Sequence, residues 1–535
     1  MSDRAIEQGA PQGAAEAGQA EFHWVAPVLV ALIGAFMSIL DSSIVNVAIP
    51  QMMGNLGATL QQISWVSTAY ITANVIFLPL TGWFAGRFGY RNYLSTSIVI
   101  FTVASLMCGM SKSVGELVIF RILQGSSGAA MLSTAQATIF TVFPRKQQPM
   151  VQAIFGIGIM VGPTIGPTLG GWITYNYSWS WVFFINIPIG ILATTLALNY
   201  MHRLRPGDVA TRRVDIIGML FLVMGLGCFQ VMLEQGQSDD WFQSDFIVWM
   251  AVLAVVGMAS FIYWELTYPE PAVDLRVLKD RALAAGTAFG TVMGFGLFGG
   301  IFILPIFLQD IRGYSAMQSG LIMLPGAIAS AFMLPVSGRL MGKFPARSIL
   351  FVSVLTFSFA NFLLRRLTID TGPGDMFWPL VIRGAALGLI NVPLSLVSLS
   401  HLRGRNLPYG TALFNLMRQL GGSTGIAYLS SRVSAEIFVH RSALVAHVVA
   451  SNNLTIGRLQ LLTGAMVAQG MPLAVAKKQA LAITDMTISQ QASVMSYGSA
   501  FVFMAVTFLF LLPLLFLFHS DLHHEHRPVA HAAAE

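Results

Sequence analysis

The sequence predicts an all-α polytopic membrane protein of about 14 transmembrane helices, built as two six-helix pseudo-repeats with two linking helices between them. Three observations predict it. Of the 535 residues, 55% are hydrophobic and only 10% charged, with a mean hydropathy of +0.68. A soluble protein of this size cannot bury that much apolar chain, so the excess belongs in lipid. The apolar residues form continuous runs of the roughly 20 residues that cross a bilayer core of about 30 Å as helix, without the alternation of barrel strands. Finally, a loop motif in the first half of the chain returns in the second.

Residues 1–23 are polar and rich in Ala, Gly and Gln. They lack the basic start and apolar core of a cleaved signal peptide and read as a disordered cytoplasmic tail. The first six runs, near 24–49, 63–84, 92–110, 115–140, 151–174 and 180–200, form a first bundle over 24–200. The segment 201–282 holds two linking runs, 214–234 and 245–266, followed by the loop TYPEPAVDLRVLKDRA (267–282). A second bundle over 283–518 contains runs near 283–308, 317–341, 348–367, 377–400, 409–431 and 494–518. Its last two runs are separated by 432–493, where apolar residues fall at helical spacing and Pro472 is placed to start a helix. So long an excursion is either a solvated hairpin or a docking element for a partner. Residues 519–535 read as a cytoplasmic tail whose four histidines, His523, His524, His526 and His531, are solvated rather than a metal site.

The net charge of +6 is not a nucleic-acid footprint, because the basic residues sit in alternate loops. Arg87, Arg91, Arg145, Lys146, Arg203, Arg205, Arg212, Arg213, Arg276, Lys279, Arg281, Lys343, Arg347, Arg403 and Arg405 fall on one side; the acidic segment EQGQSDDWFQSD (234–245) falls on the other. This asymmetry puts the basic loops and both termini in the cytoplasm. Arg365 and Arg366 sit at the opposite end of their span from that pattern. Cys108 and Cys228 both lie within spans, so no disulfide framework is expected.

The repeated loop is TGWFAGRFGYRNYL (81–94), which aligns with SGRLMGKFPARSIL (337–350). Gly82 pairs with Gly338, Gly86 with Gly342, Arg87 with Lys343 and Arg91 with Arg347; Gly89 has no glycine counterpart. Later in each bundle a span carries a central arginine, Arg121 and Arg383. Two such halves are the pattern of a rocker-type secondary transporter. The fifth span contains GIGIMVGPTIGPTLGG (156–171), in which Gly158, Gly162, Gly166 and Gly170 recur every fourth residue, with Pro163, Pro167 and Gly171 alongside. Small residues at that spacing let helix backbones approach closely in lipid, and proline bends a helix. The ridge is read as a moving interface, with plain packing as the alternative.

Ionisable groups within a membrane span are costly and therefore functional by default. Asp41 and Arg121 are the pair in the first bundle. An arginine beside a carboxylate favours its charged form and a dry site its neutral form, so alternation between two cavities lets Asp41 load and release a proton. A static orienting pair, or direct contact of Asp41 with substrate, are the alternatives. Asn46, further along the same span, is expected to bond a neighbouring helix. A broad apolar pocket is assigned to Met37, Asn46, Trp65, Gln124, Phe155, Phe295 and Phe298, with Arg383 and Arg418 as structural or substrate-carboxylate contacts. No phosphate-binding loop, zinc-type cluster or nucleophile elbow occurs in the sequence, so no enzyme, metal or cofactor is expected and transport is secondary.

These motifs resemble those of the major facilitator superfamily. GIGIMVGPTIGPTLGG looks like its antiporter motif, TGWFAGRFGYRNYL its loop motif between the second and third helices, and FRILQGSSGAAM (120–131) its fourth-helix motif. LDSSIVNVAIP (40–50), WSWVFFINIPIG (179–190) and MRQLGGSTG (417–425) resemble signatures of its fourteen-span drug:proton antiporters, nearest the EmrB type. Two positions depart from the pattern: Gly86 stands where the loop motif has an aspartate, and Ser180 where the sixth-helix motif has an arginine. Arg87 and Arg91 then need another acid or a helix C-terminus as partner. The resemblance implies proton-coupled multidrug efflux across a bacterial inner membrane, driven by the proton-motive force. It also implies an EmrA-type periplasmic adaptor and a TolC-type outer-membrane channel as partners. A nutrient symporter or facilitator, and a non-transporting sensor on the same fold, are the competing readings.

Overall fold

The structure, a computed structural model, describes residues 13–200, 214–404, 406–449 and 452–517. The described residues form helices and no strands. The first seven helices are α1 (Gly13–Leu56), α2 (Leu60–Phe88), α3 (Tyr90–Met110), α4 (Val114–Val142), α5 (Gln148–Asn176), α6 (Trp181–Phe184) and α7 (Asn186–Tyr200). Two linking spans follow: α8 (Ile216–Leu222) and α9 (Cys228–Gln235), joined by a π-helical turn at Val223–Gly227, and then α10 (Asp245–Thr267). The remainder are α11 (Arg281–Ile306), α12 (Ala316–Leu340), α13 (Ala346–Leu364), α14 (Pro373–Leu399), α15 (Asn406–Val445), α16 (Asn453–Ala468) and α17 (Leu473–Leu509).

Eleven helices are long and apolar enough to cross a membrane, and α5 makes a twelfth when its two bent parts are taken as one span. α4 and α15 are long enough but carry Arg121 and Gln124, or Asn415 and Arg418, in place of part of the apolar run. With them, every one of the fourteen expected runs contains a helix. The chain is a multi-pass membrane protein.

Local chemistry fixes the helix starts. Thr59 with Gln62, and Ser315 with Gln318, form reciprocal caps at α2 and α12. Ser113, Asp215 and Asp280 each accept a backbone N–H at the start of α4, α8 and α11. Pro472 directly precedes α17. Gly89, at φ +82°, turns the chain between α2 and α3, a conformation that side-chain-bearing residues rarely adopt. α1 begins at Gly13, earlier than the expected end of the tail at residue 23, because the Ala-, Glu- and Gln-rich stretch is itself a good helix former. The expected C-terminal tail and its histidines lie outside the described residues, as do Arg203, Arg205, Arg212, Arg213 and Arg405.

α1 packs on α4, α5 and α7, and α2 and α3 pack on α4; α11 packs on α15, α12 on α14, and α13 and α17 on each other. These two groups meet along two seams, α5 against α12 and α2 against α15. At the end carrying the basic loops both seams are tight. Gly82 lies against Tyr409, and Gly338 against the backbone of Pro149. A little deeper, Asn415 of α15 donates to Gln136 of α4 at 2.7 Å. α9 covers the α2/α15 seam, where Gln235 donates to Thr68 at 2.9 Å and Gln230 donates to Ser423 at 2.8 Å. α8–α9 and α10 touch backbone to backbone at Gly225 and Gly257.

The glycine ridge of α5 faces α1, inside the first group, rather than the seam with α12. Gly162 meets Ile39, Gly166 meets Ser43, and Gly170 meets the carbonyl of Ile44. The ridge packs α5 against α1 within one group, which agrees with the plain-packing alternative. The parts of α5 on either side of its proline-rich centre meet at 41°. The other face of α5, with Gly156, Ile159, Met160, Pro163 and Thr168, turns towards α12 and α14.

Candidate functional site

Asp41 and Arg121 are both buried and form an ion pair in the interior of the first helix group. Five helices contribute. Gln124, one turn after Arg121 on α4, donates to Asp41 Oδ1 at 2.8 Å, and Asn186 at the start of α7 donates to the same oxygen at 2.9 Å. Arg121 donates through Nη1 to Gln124 Oε1 at 2.8 Å and through Nε to the carbonyl of Val66 on α2 at 3.1 Å. Its guanidinium lies 4.0 Å from the ring centroid of Tyr70. Behind Asn186, Ser105 of α3 accepts at 3.1 Å and donates to the carbonyl of Phe183 at 2.8 Å.

The fourth-helix glycines make this approach possible. A Cβ on Gly125 would sit 2.2 Å from the carbonyl oxygen of Tyr70, and one on Gly128 would sit 2.8 Å from Ser38 Oγ. Tyr70 in turn donates its hydroxyl to the carbonyl of Ser38 at 2.9 Å, tying α2 to α1 three residues before Asp41. A carboxylate and a guanidinium out of water need such partners, because each unpaired polar atom in a dry site is costly, and Asn186 Oδ1 is the one buried atom of this cluster left without one among the described residues. The cluster holds one carboxylate in contact with one cation, with two neutral amides donating to the carboxylate.

Sequence reasoning missed Asn186, Tyr70 and Ser105. Asn186 was inside the WSWVFFINIPIG stretch (179–190), which was the available signal. Tyr70 and Ser105 carried none.

The assigned pocket residues disperse. Met37 is buried among Val30, Tyr70, Leu94 and Ile98, and Phe155 among Ala31, Ala35, Ala135 and Ile139, so both pack helices together rather than line a cavity. Asn46 accepts a hydrogen bond from Ser67 of α2 at 2.8 Å. Trp65 faces the linking helices, edge-on to Phe246, in an open cleft shared with Gln61, Asp239 and Asp240. Phe295 packs on Tyr428 and Phe503, and Phe298 lies over Gly422. Helical phase is the reason: Leu297 and Ile301 are the α11 residues that face inward. They line a cavity of ≈ 60 Å³ between α5, α11, α12 and α14, together with Ile159, Met160, Pro163, Met323, Ser330 and Arg383. Of the pocket assignments, Arg383 alone lines it. Arg418 is buried and donates to Asn415 Oδ1 at 3.1 Å, so it backs the Gln136–Asn415 contact between the two groups.

In the loop motif, Gly82 makes the close contact with Tyr409, and Gly86 and Arg87 occupy the last turn of α2. The Arg87 guanidinium lies 5.6 Å from the Trp83 ring. Arg91 donates to the carbonyl of Leu198 near the end of α7 at 2.8 Å, a helix C-terminus standing in for the absent aspartate. No cluster of His, Cys, Asp and Glu able to hold a metal occurs among the described residues.

A family model described as Major Facilitator Superfamily matches residues 31–426. The chain is 32% identical over 493 residues to the fatty acid resistance protein FarB of Neisseria gonorrhoeae, covering 91% of this chain and 95% of that one. It is 34% identical over 485 residues to the multidrug export protein EmrB of Escherichia coli (strain K12), covering 90% and 93%. Among solved structures, the human organic anion transporter MFSD10 (TETRAN) matches with a TM-score of 0.58 at 11% identity, over 92% of this chain and 99% of that one. The proton:xylose symporter XylE matches with a TM-score of 0.54 at 14% identity, over 93% and 100%. These last two are likenesses of fold alone.

Proposed function

Since the chain belongs to the Major Facilitator Superfamily, alongside EmrB-type export proteins, we propose that it is a proton-coupled exporter of amphipathic and aromatic compounds, a transporter rather than an enzyme. The observation that carries the reading is the buried Asp41–Arg121 pair, with Gln124 and Asn186 donating to the carboxylate and the Val66 carbonyl accepting from the guanidinium. Burial favours neutral Asp41 and Arg121 favours the charged form, so a small change in the separation or wetting of the pair moves the proton. Rocking of 24–200 against 283–518 supplies that change. Asp41 takes a proton when the cavity faces outward and gives it up to the cytoplasm when it faces inward, while substrate travels the other way. One charge crossing 100 mV releases about 2.3 kcal/mol, which at about 1.4 kcal/mol per decade sustains a gradient of about forty-fold. No cofactor is needed beyond the proton-motive force.

The charge asymmetry supports a bacterial inner-membrane placement with the basic loops and both termini in the cytoplasm. In that orientation α16 and the first half of α17 project into the periplasm. α16 has no buried residue, and Leu454, Leu461, Leu473, Leu481 and Met486 are exposed along the hairpin, which supports docking of an EmrA-type adaptor and, through it, a TolC-type channel.

The test is drug-dependent proton efflux from acid-inside inverted vesicles, wild type against Asp41→Asn. Substrate-stimulated proton movement in wild type, lost in the variant, is the expected result. Undiminished movement in the variant assigns Asp41 to structure alone. No response to a broad panel of aromatic and cationic compounds returns the chain to the nutrient-transport or sensor readings.

A further inference from the structure

Arg121 and Arg383 occupy corresponding helices of the two groups, α4 and α14, yet their surroundings differ. Arg121 meets Asp41 of α1. Arg383 meets Gly300 of α11: a Cβ there would lie 1.5 Å from Arg383 Nη2. Where the first group sets a carboxylate against its arginine, the second sets a glycine, and the Arg383 guanidinium fills the room its missing side chain leaves.

Among the described residues of the second group, none neutralises the charge. Arg383 is 4% exposed, donates through Nη2 to the carbonyl of Gly296 at 3.2 Å, and has the Phe357 ring 5.7 Å away. Its Nε has no hydrogen-bond partner, and no ion pair to it forms among the described residues. Ser330 of α12, also buried, has an unpartnered Oγ in the wall of the same cavity. An isolated buried cation is among the costliest arrangements a membrane protein can hold, and it persists where a ligand completes it.

The rest of the wall is apolar: Ile159, Met160, Leu297, Ile301, Met323 and Leu387. At ≈ 60 Å³ the cavity has room for about four waters, or for a carboxylate group and little more, so any tail must lie along the α5/α12 seam. We propose that this cavity is the headgroup site for an amphipathic carboxylate, with Arg383 as its charge partner and Ser330 as a second donor. The inference deepens the export reading and rests on it only for the direction in which the ligand travels.

The test uses the full chain in nanodiscs of phosphatidylcholine, so that no anionic lipid competes, and measures equilibrium binding of decanoate, decanol, decyltrimethylammonium and acetate at neutral pH. Decanoate is expected to bind wild type at least ten-fold more tightly than the other three. Arg383→Gln is expected to weaken decanoate by at least ten-fold, with Arg383→Lys intermediate and decyltrimethylammonium unchanged. Equal binding of decanol and decanoate by wild type overturns the proposal, and this comparison stands even if Arg383→Gln does not fold. Acetate binding as tightly as decanoate also overturns it, in favour of a simple anion site. Decanoate binding with no drug-driven proton movement in vesicles counts against export alone; proton movement with no decanoate preference counts against this site alone.

Discussion

Replacing Gly170 by alanine puts a methyl group 2.8 Å from the carbonyl oxygen of Ile44 and 2.9 Å from its Cγ1. The carbonyl belongs to α1 and cannot rotate away, so the helices must separate. Overpacking of this kind costs about 1–3 kcal/mol, while alanine's better helix propensity returns about 1 kcal/mol, leaving a net loss of about 0–2 kcal/mol. Three turns earlier on the same ridge, a Cβ on Gly158 would find only Phe36 Cβ, at an ordinary 4.0 Å. There the propensity gain of about 1 kcal/mol is unopposed. The two substitutions are chemically identical and lie on one helix face, yet Gly158→Ala should be the more stable by about 1–3 kcal/mol. Equilibrium unfolding of the purified protein in mixed micelles, titrated with sodium dodecyl sulfate, measures the difference. Equal stabilities, or Gly158→Ala below Gly170→Ala, refute the assignment of the ridge to α1.

Asn186→Ala removes one donor from Asp41 and one from Ser105; a hydrogen bond to a charged group is worth about 1.5–3 kcal/mol, so proton-coupled turnover in vesicles should fall by at least ten-fold with insertion unchanged. Asn415→Leu strips Gln136 and Arg418 of a shared partner and should weaken the closed basic end by about 1–3 kcal/mol. A cysteine at the buried Ser337, in a background lacking Cys108 and Cys228, then reacts faster with a maleimide applied from that end. Deleting 445–485 should spare insertion and vesicle transport but abolish resistance of whole cells; equal failure in vesicles makes the hairpin part of the transport core.

The helices were legible because lipid demands a fixed length of apolar chain, and the Asp41–Arg121 pair because charge is so scarce in these spans. Gln124 was legible only as part of the fourth-helix motif and as a pocket residue; its hydrogen bonds to Asp41 and Arg121 put it in the ion-pair cluster instead. Asn186 was not, since a neutral amide in an apolar run is cheap enough to be ordinary, and only the geometry reveals that it reaches Asp41. Trp65, Phe155, Phe295 and Phe298 failed for a different reason. A large apolar side chain reads the same whether it faces lipid, a neighbouring helix or a cavity, and a shift of one residue changes which. The glycine spacing announced a close approach along α5 but not the identity of the approaching helix. Arg383 was visible as a charge; that its opposite number is a glycine instead of an acid is a fact of packing.

α17 is one unbroken helix from Leu473 to Leu509, and α15 one from Asn406 to Val445. Of α17, residues 473–493 lie beyond the apolar run, an arm of about 30 Å at 1.5 Å per residue. Such an arm has no hinge: it turns with the helix group that bears it, and its far end sweeps through an arc set by its length. A tilt of about 10° in the second group moves the tip by about 5 Å, the rise of roughly one helical turn. Whatever grips the hairpin therefore feels each cycle as a mechanical stroke, and a rigid grip would in turn resist the tilt.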